Sequence, residues 1–128
     1  MNIVECVDVN KAYQQGRATI QALNDVSLQI EKGEFLAVAG PSGSGKTTLL
    51  NMIGGLDRID SGRIVVDSEA FENMSQSQLA HLRLHKIGFV FQAYNLIPVL
   101  SAIENVEYVM LLQGLPAHER REKARAIL

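Results

Sequence analysis

Five apolar residues without alternation, Phe35-Leu36-Ala37-Val38-Ala39, run directly into Gly40-Pro41-Ser42-Gly43-Ser44-Gly45-Lys46-Thr47, and a helix-compatible stretch, Lys46–Ile53, follows. An unbroken apolar run suits a strand buried on both faces of a parallel sheet. Between a strand and a helix, the pattern G-x-x-x-x-G-K-[ST] describes a loop whose backbone wraps phosphate. At average residue usage the pattern alone would occur in roughly 1 in 200 chains of this length. The flanking strand and helix therefore separate it from an ordinary glycine turn. The expected fold class is α/β, of the P-loop NTPase type.

The residue types suit a triphosphate carried with Mg²⁺. Backbone N–H groups must point inward with no side chains in the way, and in the loop formed by Gly40, Pro41, Ser42, Gly43, Ser44 and Gly45 it is Gly43 and Gly45 that provide that clearance. The helix opening at Lys46 adds unpaired N–H groups and the positive end of its dipole. Lys46 brings a mobile full charge for the β and γ phosphates. The Thr47 hydroxyl is a hard oxygen donor of the kind Mg²⁺ accepts beside phosphate oxygens and water. Thr48 offers a further hydroxyl to the α-phosphate region.

Around this loop the chain reads as short elements. Ile3, Cys6 and Val9 suggest a first strand and Leu23–Ile30 a second, antiparallel to it, with Gln14–Arg17 as the polar turn region. Gly54-Gly55 stops the helix that began at Lys46. Asp60-Ser61-Gly62 makes a turn and Arg63–Asp67 a short strand. Ser75 and Gln78 have capping-box spacing before a helix to about Leu84, and Ile87–Phe91 is the next strand candidate. Ser101 and Glu104 repeat that spacing before a helix with an apolar stripe at Val106, Val109, Met110 and Leu112. Pro116 opens a last helix whose Glu119, Arg120, Arg121, Glu122 and Lys123 form a solvated charged face. That helix reaches Leu128 with no stop signal, so the sequence is expected to continue.

Composition narrows the partners. The formal charge of −2 arises from interspersed acids and bases among 20% charged residues, which argues against a broad nucleic-acid footprint. Any phosphate must be held locally. Cys6 is the one cysteine, so neither an internal disulfide nor a thiolate cluster is available; a cytoplasmic location and a buried, unreactive thiol are expected. No apolar run approaches the roughly 20 residues needed to cross a bilayer.

On spacing alone, Tyr13 could be a packing aromatic and Gln92 a generic strand end. Together with Gly40–Thr48 and Phe89-Val90-Phe91-Gln92, they make the chain resemble, over its whole length, the ATP-binding subunit of ABC transporters. Ser42–Leu50, Ile53–Asp57, Ile87–Asn95 and Leu96–Val106 are most similar to the lipoprotein-releasing and macrolide-exporter group, including the wording Ile-Gly-Gly-Leu-Asp and Asn-Leu-Ile-Pro. The resemblance implies an incomplete ABC-ATPase fold: antiparallel N-terminal strands, the Walker A strand, loop and helix, and the start of a helical subdomain. Residues 1–92 would belong to the ATP-binding core and 93–128 to the helical part.

By the same resemblance Tyr13 stacks on adenine, Gln92 touches Mg²⁺ and the attacking water, and Ala93–Pro98 faces a membrane permease. A second ATP-binding subunit would complete a homodimer, peripheral to the inner face of the cell membrane. The family's signature segment, its acidic Mg²⁺ site, its catalytic glutamate and its switch histidine have no counterpart here. His81, His85 and His118 stand in the wrong context for catalysis. No catalytic residue is therefore expected in this chain, which should bind ATP without hydrolysing it. Ser68, where the family often has glycine, leaves one turn's geometry open. A small P-loop kinase would need an acceptor pocket and arginines over the γ-phosphate, and a non-catalytic fragment associating through sheet edges would need no nucleotide.

Overall fold

The structure is a computed structural model describing residues 1–128. The chain divides into two compact units, Met1–Ala80 and His81–Leu128.

In the first unit, strands β1 (Asn2–Gln15) and β2 (Ala18–Glu31) form a long hairpin, β3 (Ser61–Val66) pairs with β1, and the short β4 (Glu69–Ala70) pairs with β3. All pairings are antiparallel, in the order β2-β1-β3-β4. Alternation along β1 puts Val4, Cys6 and Val9 into the core, where they join Leu23, Ile64 and Val66. Helix α1 (Lys46–Ile53) adds Leu49 and the fully buried Met52. The expected antiparallel opening strands and the helix with its glycine stop are all present, Gly55 taking φ 65° just past the helix end. Ser61, expected in the turn, instead opens β3.

The β1–β2 ladder is interrupted where Asp8 and Asp25 each adopt φ 47°. Polar side chains satisfy the backbone there: Ser27 Oγ accepts from Asp8 N at 2.9 Å, and Asn10 Oδ1 accepts from Asp25 N at 3.0 Å. At the other end of β3, Asp67 and Ser68 take φ 48° and 68° between paired Val66 and Glu69. This is a two-residue hairpin turn of the kind that glycine favours. Ser68 therefore keeps the turn geometry at the cost of a left-handed backbone.

Two expected strands are absent. Phe35–Ala39 and Ile87–Phe91 have no regular secondary structure and join no sheet, and Phe35 is 97% exposed. A parallel strand needs hydrogen-bonded neighbours, and the sheet made by these residues is wholly antiparallel.

Helix α2 (Gln76–Lys86) opens with the expected reciprocal cap, Gln78 N donating to Ser75 Oγ and Gln78 Oε1 accepting from Ser75 N. The second unit contains α3 (Ala102–Leu112) and α4 (Ala117–Ile127). Ser101 and Glu104 form the capping box that starts α3. The apolar stripe of α3 is not its buried face: Val109 and Leu112 are exposed, and the one buried residue is Glu107, 5% exposed. Arg121 Nε donates to Glu107 Oε1 at 2.8 Å, with Arg120 Nε at 4.0 Å. The charge run expected to be solvated thus supplies the guanidiniums that neutralise a buried carboxylate, while its Lys123–Glu119 pair stays outside. His81 and His85 lie with tilted rings, centroids 4.3 Å apart, on the exposed side of α2, and His118 is exposed. No helix is long and apolar enough to cross a membrane.

Candidate functional site

The glycine-rich segment closes over its own lysine. Lys46 Nζ donates to Gly40 O and Pro41 O, each at 2.7 Å, and to Ser44 Oγ at 3.2 Å. The loop is tightened by Ser44 N donating to Pro41 O at 3.2 Å. Gly43 and Gly45 take φ 80° and 95°. Gly45 is also the N-cap of α1, and a Cβ there would run into the Ala22 carbonyl of β2. Only glycine meets both demands.

Helix α1 opens without a side-chain cap and without an acidic residue in its first turn. Its first backbone bond is Leu49 N to Gly45 O, so the N–H groups of Lys46, Thr47 and Thr48 keep no helical acceptor. Three backbone donors, the positive helix end and an ammonium group thus converge on one exposed loop. Such a set is chemically matched to a polyanion. Thr47 is exposed at the start of α1. No cluster of His, Cys, Asp and Glu could hold a metal unaided. A lone hydroxyl is a fitting Mg²⁺ donor when phosphate oxygens and water complete the octahedron.

Tyr13, near the end of β1, lies beside this helix. Its phenol donates to Asp57 Oδ2 at 2.9 Å, and the Thr48 side chain lies close enough to influence the phenol's titration. Burial raises the phenol's pKa, and the Asp57 carboxylate raises it further, so Tyr13 stays protonated and able to donate. Asp57 is held below the ordinary carboxylate range, first by the Arg58 N–H and also by Tyr13 and Lys11. Lys11 Nζ stands 5.1 Å from the Tyr13 ring centroid, over its face. The structure therefore brings Tyr13 and Thr48 together next to the phosphate loop. Gln92 lies in the second unit, on an exposed stretch, as do Tyr94 and Leu96.

Asp57 and Lys11 had no assigned role in the sequence. Asp57 was visible only as the last letter of Ile-Gly-Gly-Leu-Asp, and nothing in the spacing of 44 residues between it and Tyr13 marks them as partners.

The ABC transporter family model matches residues 23–128. The chain belongs to the ABC transporter ATP-binding family. It is 46% identical over 126 residues to an uncharacterized ABC transporter ATP-binding protein of Thermotoga maritima, covering 98% of this chain and 54% of the relative. With the lipoprotein-releasing system ATP-binding protein LolD of Saccharophagus degradans the identity is 39%, over 98% of this chain and 55% of LolD. With the macrolide export ATP-binding/permease protein MacB of Hyphomonas neptunium it is 45%, over 98% of this chain and 20% of MacB. Among solved structures, the dimeric post-hydrolysis state of the ATP-binding cassette MJ0796, bound to ADP and Pi, superposes with a TM-score of 0.90 at 42% identity. That match covers 96% of this chain and 54% of the other. The chain thus spans about half the length of the ATP-binding relatives it matches. This portion of an ABC cassette contains the phosphate loop and the antiparallel strands.

Proposed function

We propose that residues 1–128 form the ATP- and Mg²⁺-binding portion of an ABC transporter ATPase. One observation carries this: the Lys46 ammonium held by Gly40, Pro41 and Ser44 at the open N-terminus of α1. Phosphate oxygens compete for the same protons as those three acceptors, and being charged they make the stronger bonds. Gly40–Thr48 would hold the triphosphate, and Thr47 and Gln92 would be the protein's Mg²⁺ donors. When bound, Mg²⁺ would supply neutralisation of phosphate charge. Tyr13 would stack on adenine, its position beside Thr48 being the support for that assignment.

The division into an ATP-binding part, 1–92, and a helical part beginning at 93 belongs to the same reading. So does the contact of Ala93–Pro98 with a membrane permease, supported by exposed Tyr94 and Leu96. In the assembled protein, two such domains on the inner face of the membrane would couple ATP hydrolysis to export of lipoprotein or another hydrophobic cargo. Within residues 1–128 there is no general base and no signature segment, so this chain binds ATP and does not hydrolyse it.

Titration calorimetry with ATP and Mg²⁺ tests the reading. Lys46→Ala is expected to abolish binding while circular dichroism stays unchanged, and equal affinity for both proteins would refute the phosphate-loop assignment. Phosphate release that depends on Lys46 would refute the binding-only part.

A further inference from the structure

We propose that Asp57 and Lys11 form a clamp that fixes Tyr13 as a stacking platform with a single open face, making Asp57 a positioning residue for the purine base of the nucleotide. The proposal rests on the reading of Tyr13 as the base platform. A tyrosine on an exposed strand end ordinarily rotates among staggered rotamers, and a base that stacks on it must stop that motion. Here the ring is held at two points. Its hydroxyl donates to Asp57 Oδ2 at 2.9 Å, and the Lys11 ammonium stands over one face at 5.1 Å. With that face taken, a base has one side on which to stack.

The clamp is itself anchored. Lys11 Nζ donates to Arg58 O at 2.7 Å and lies 3.7 Å from Asp57 and 3.6 Å from Asp60. Asp57 Oδ1 accepts from Arg58 N at 2.8 Å, leaving Oδ2 for the phenol. Asp60 Oδ2 accepts from Ala12 N at 2.7 Å, which pins the segment after α1 to β1 one residue before Tyr13. The charges also fit the ligand. Two carboxylates near a triphosphate would repel it, and the largely covered Lys11 ammonium, its side chain only 13% exposed, neutralises part of that field. A clamp of this kind raises affinity by removing an ordering cost before the base arrives.

The test compares ATP with inorganic tripolyphosphate, which uses the phosphate loop and has no base. In the full chain with Mg²⁺, Tyr13→Phe removes the tether and keeps the ring, Asp57→Ala removes the acceptor, and Tyr13→Ala removes the platform. Tyr13→Phe and Asp57→Ala are each expected to weaken ATP by about two- to tenfold, the worth of one hydrogen bond. Tripolyphosphate binding should not be weakened, since Asp57→Ala only removes a repelling charge, and the double variant should be no weaker than either single one. If Tyr13→Ala weakens ATP alone while Tyr13→Phe and Asp57→Ala bind like the parent, the clamp is overturned and the platform stands. If Tyr13→Ala leaves ATP unchanged, or weakens tripolyphosphate equally, the platform itself fails and the clamp with it. Loss of tripolyphosphate affinity in Asp57→Ala would reveal a purely structural role and also overturn the proposal.

Discussion

Gly45→Ala and Gly43→Ala should have different consequences although both glycines have positive φ, 95° and 80°. At Gly43 a Cβ meets nothing within 4 Å, so alanine suffers only the left-handed backbone, about 1–2 kcal/mol, partly offset by the lower entropy of its unfolded chain. At Gly45 the same strain is joined by a collision with Ala22 O and a 3.4 Å approach to Leu23 Cδ2. The carbonyl cannot retreat cheaply, because β2 is laddered to β1 at Lys11↔Leu23 and Ala12↔Gln21 on either side of Ala22. Overpacking of this sort adds about 1–3 kcal/mol, giving about 2–5 kcal/mol in all. If the strand holds, the loop must move, and the N–H groups of α1 lose their common focus. Urea denaturation should therefore rank parent, Gly43→Ala and Gly45→Ala in falling order, and calorimetry should find ATP affinity lost in Gly45→Ala. Equal destabilisation by the two substitutions would refute the collision. A Gly45→Ala protein within about 0.5 kcal/mol of the parent would refute the strain as well.

Ser68→Gly should stabilise the first unit by about 0.5–1 kcal/mol, since Ser68 occupies φ 68° in the β3–β4 turn; a lower urea midpoint would contradict that geometry. The Cys6 thiol is pushed up from 9.0 to about 11 by burial, with Glu5 adding to the rise, so its contribution is complete below pH 9 and is lost as pH climbs from 9 to 11. Stability should fall by about 2–3 kcal/mol across that window relative to Cys6→Ala, and parallel pH curves for the two proteins would count against it. The 128-residue chain by itself should self-associate through Phe35–Ala39 and neighbouring exposed apolar residues, and light scattering that finds a monomer at all concentrations would disprove this.

Elements whose signals are local were legible in the sequence. The caps Ser75/Gln78 and Ser101/Glu104, the helix from Lys46 to Ile53 and the first strand marked by Ile3, Cys6 and Val9 each depend on residues within one or two turns or on one pleat, although Val4 rather than Ile3 is the buried residue. The misreadings have a common cause, namely dependence on a partner. Phe35–Ala39 has strand composition, yet an unpaired run gains no ladder hydrogen bonds and remains irregular. The periodicity of α3 marks an apolar stripe and says nothing of which face meets α4, and Glu107 entered the interior because Arg121 lies 14 residues on at the right height. The phosphate loop was readable because its chemistry is contiguous in sequence. Asp57 was not, because its partner Tyr13 sits 44 residues away on another element.

The long β1–β2 hairpin connects the two halves of the proposed site. Tyr13 lies on β1 opposite Ile20, and Ala22, whose carbonyl limits Gly45, lies two residues further along β2. One antiparallel ladder thus places the aromatic ring and also sets the conformation at the start of α1. Any slip of that register by one residue would turn Tyr13 to the opposite face of the sheet and withdraw the carbonyl that Gly45 packs against. The polar interruption at Asp8 and Asp25, secured by Asn10 and Ser27, pins the register three residues before Lys11. An Asn10→Leu substitution leaves Asp25 N without its acceptor and removes the bond from Nδ2 to Asp25 Oδ1, freeing the ladder to slip. Its expected effect is a loss of ATP affinity at a position that bears no phosphate, base or metal. Full ATP affinity in Asn10→Leu, with a native circular dichroism spectrum, would mean that register is fixed elsewhere, by the hydrophobic pattern of Val4, Cys6 and Val9 alone.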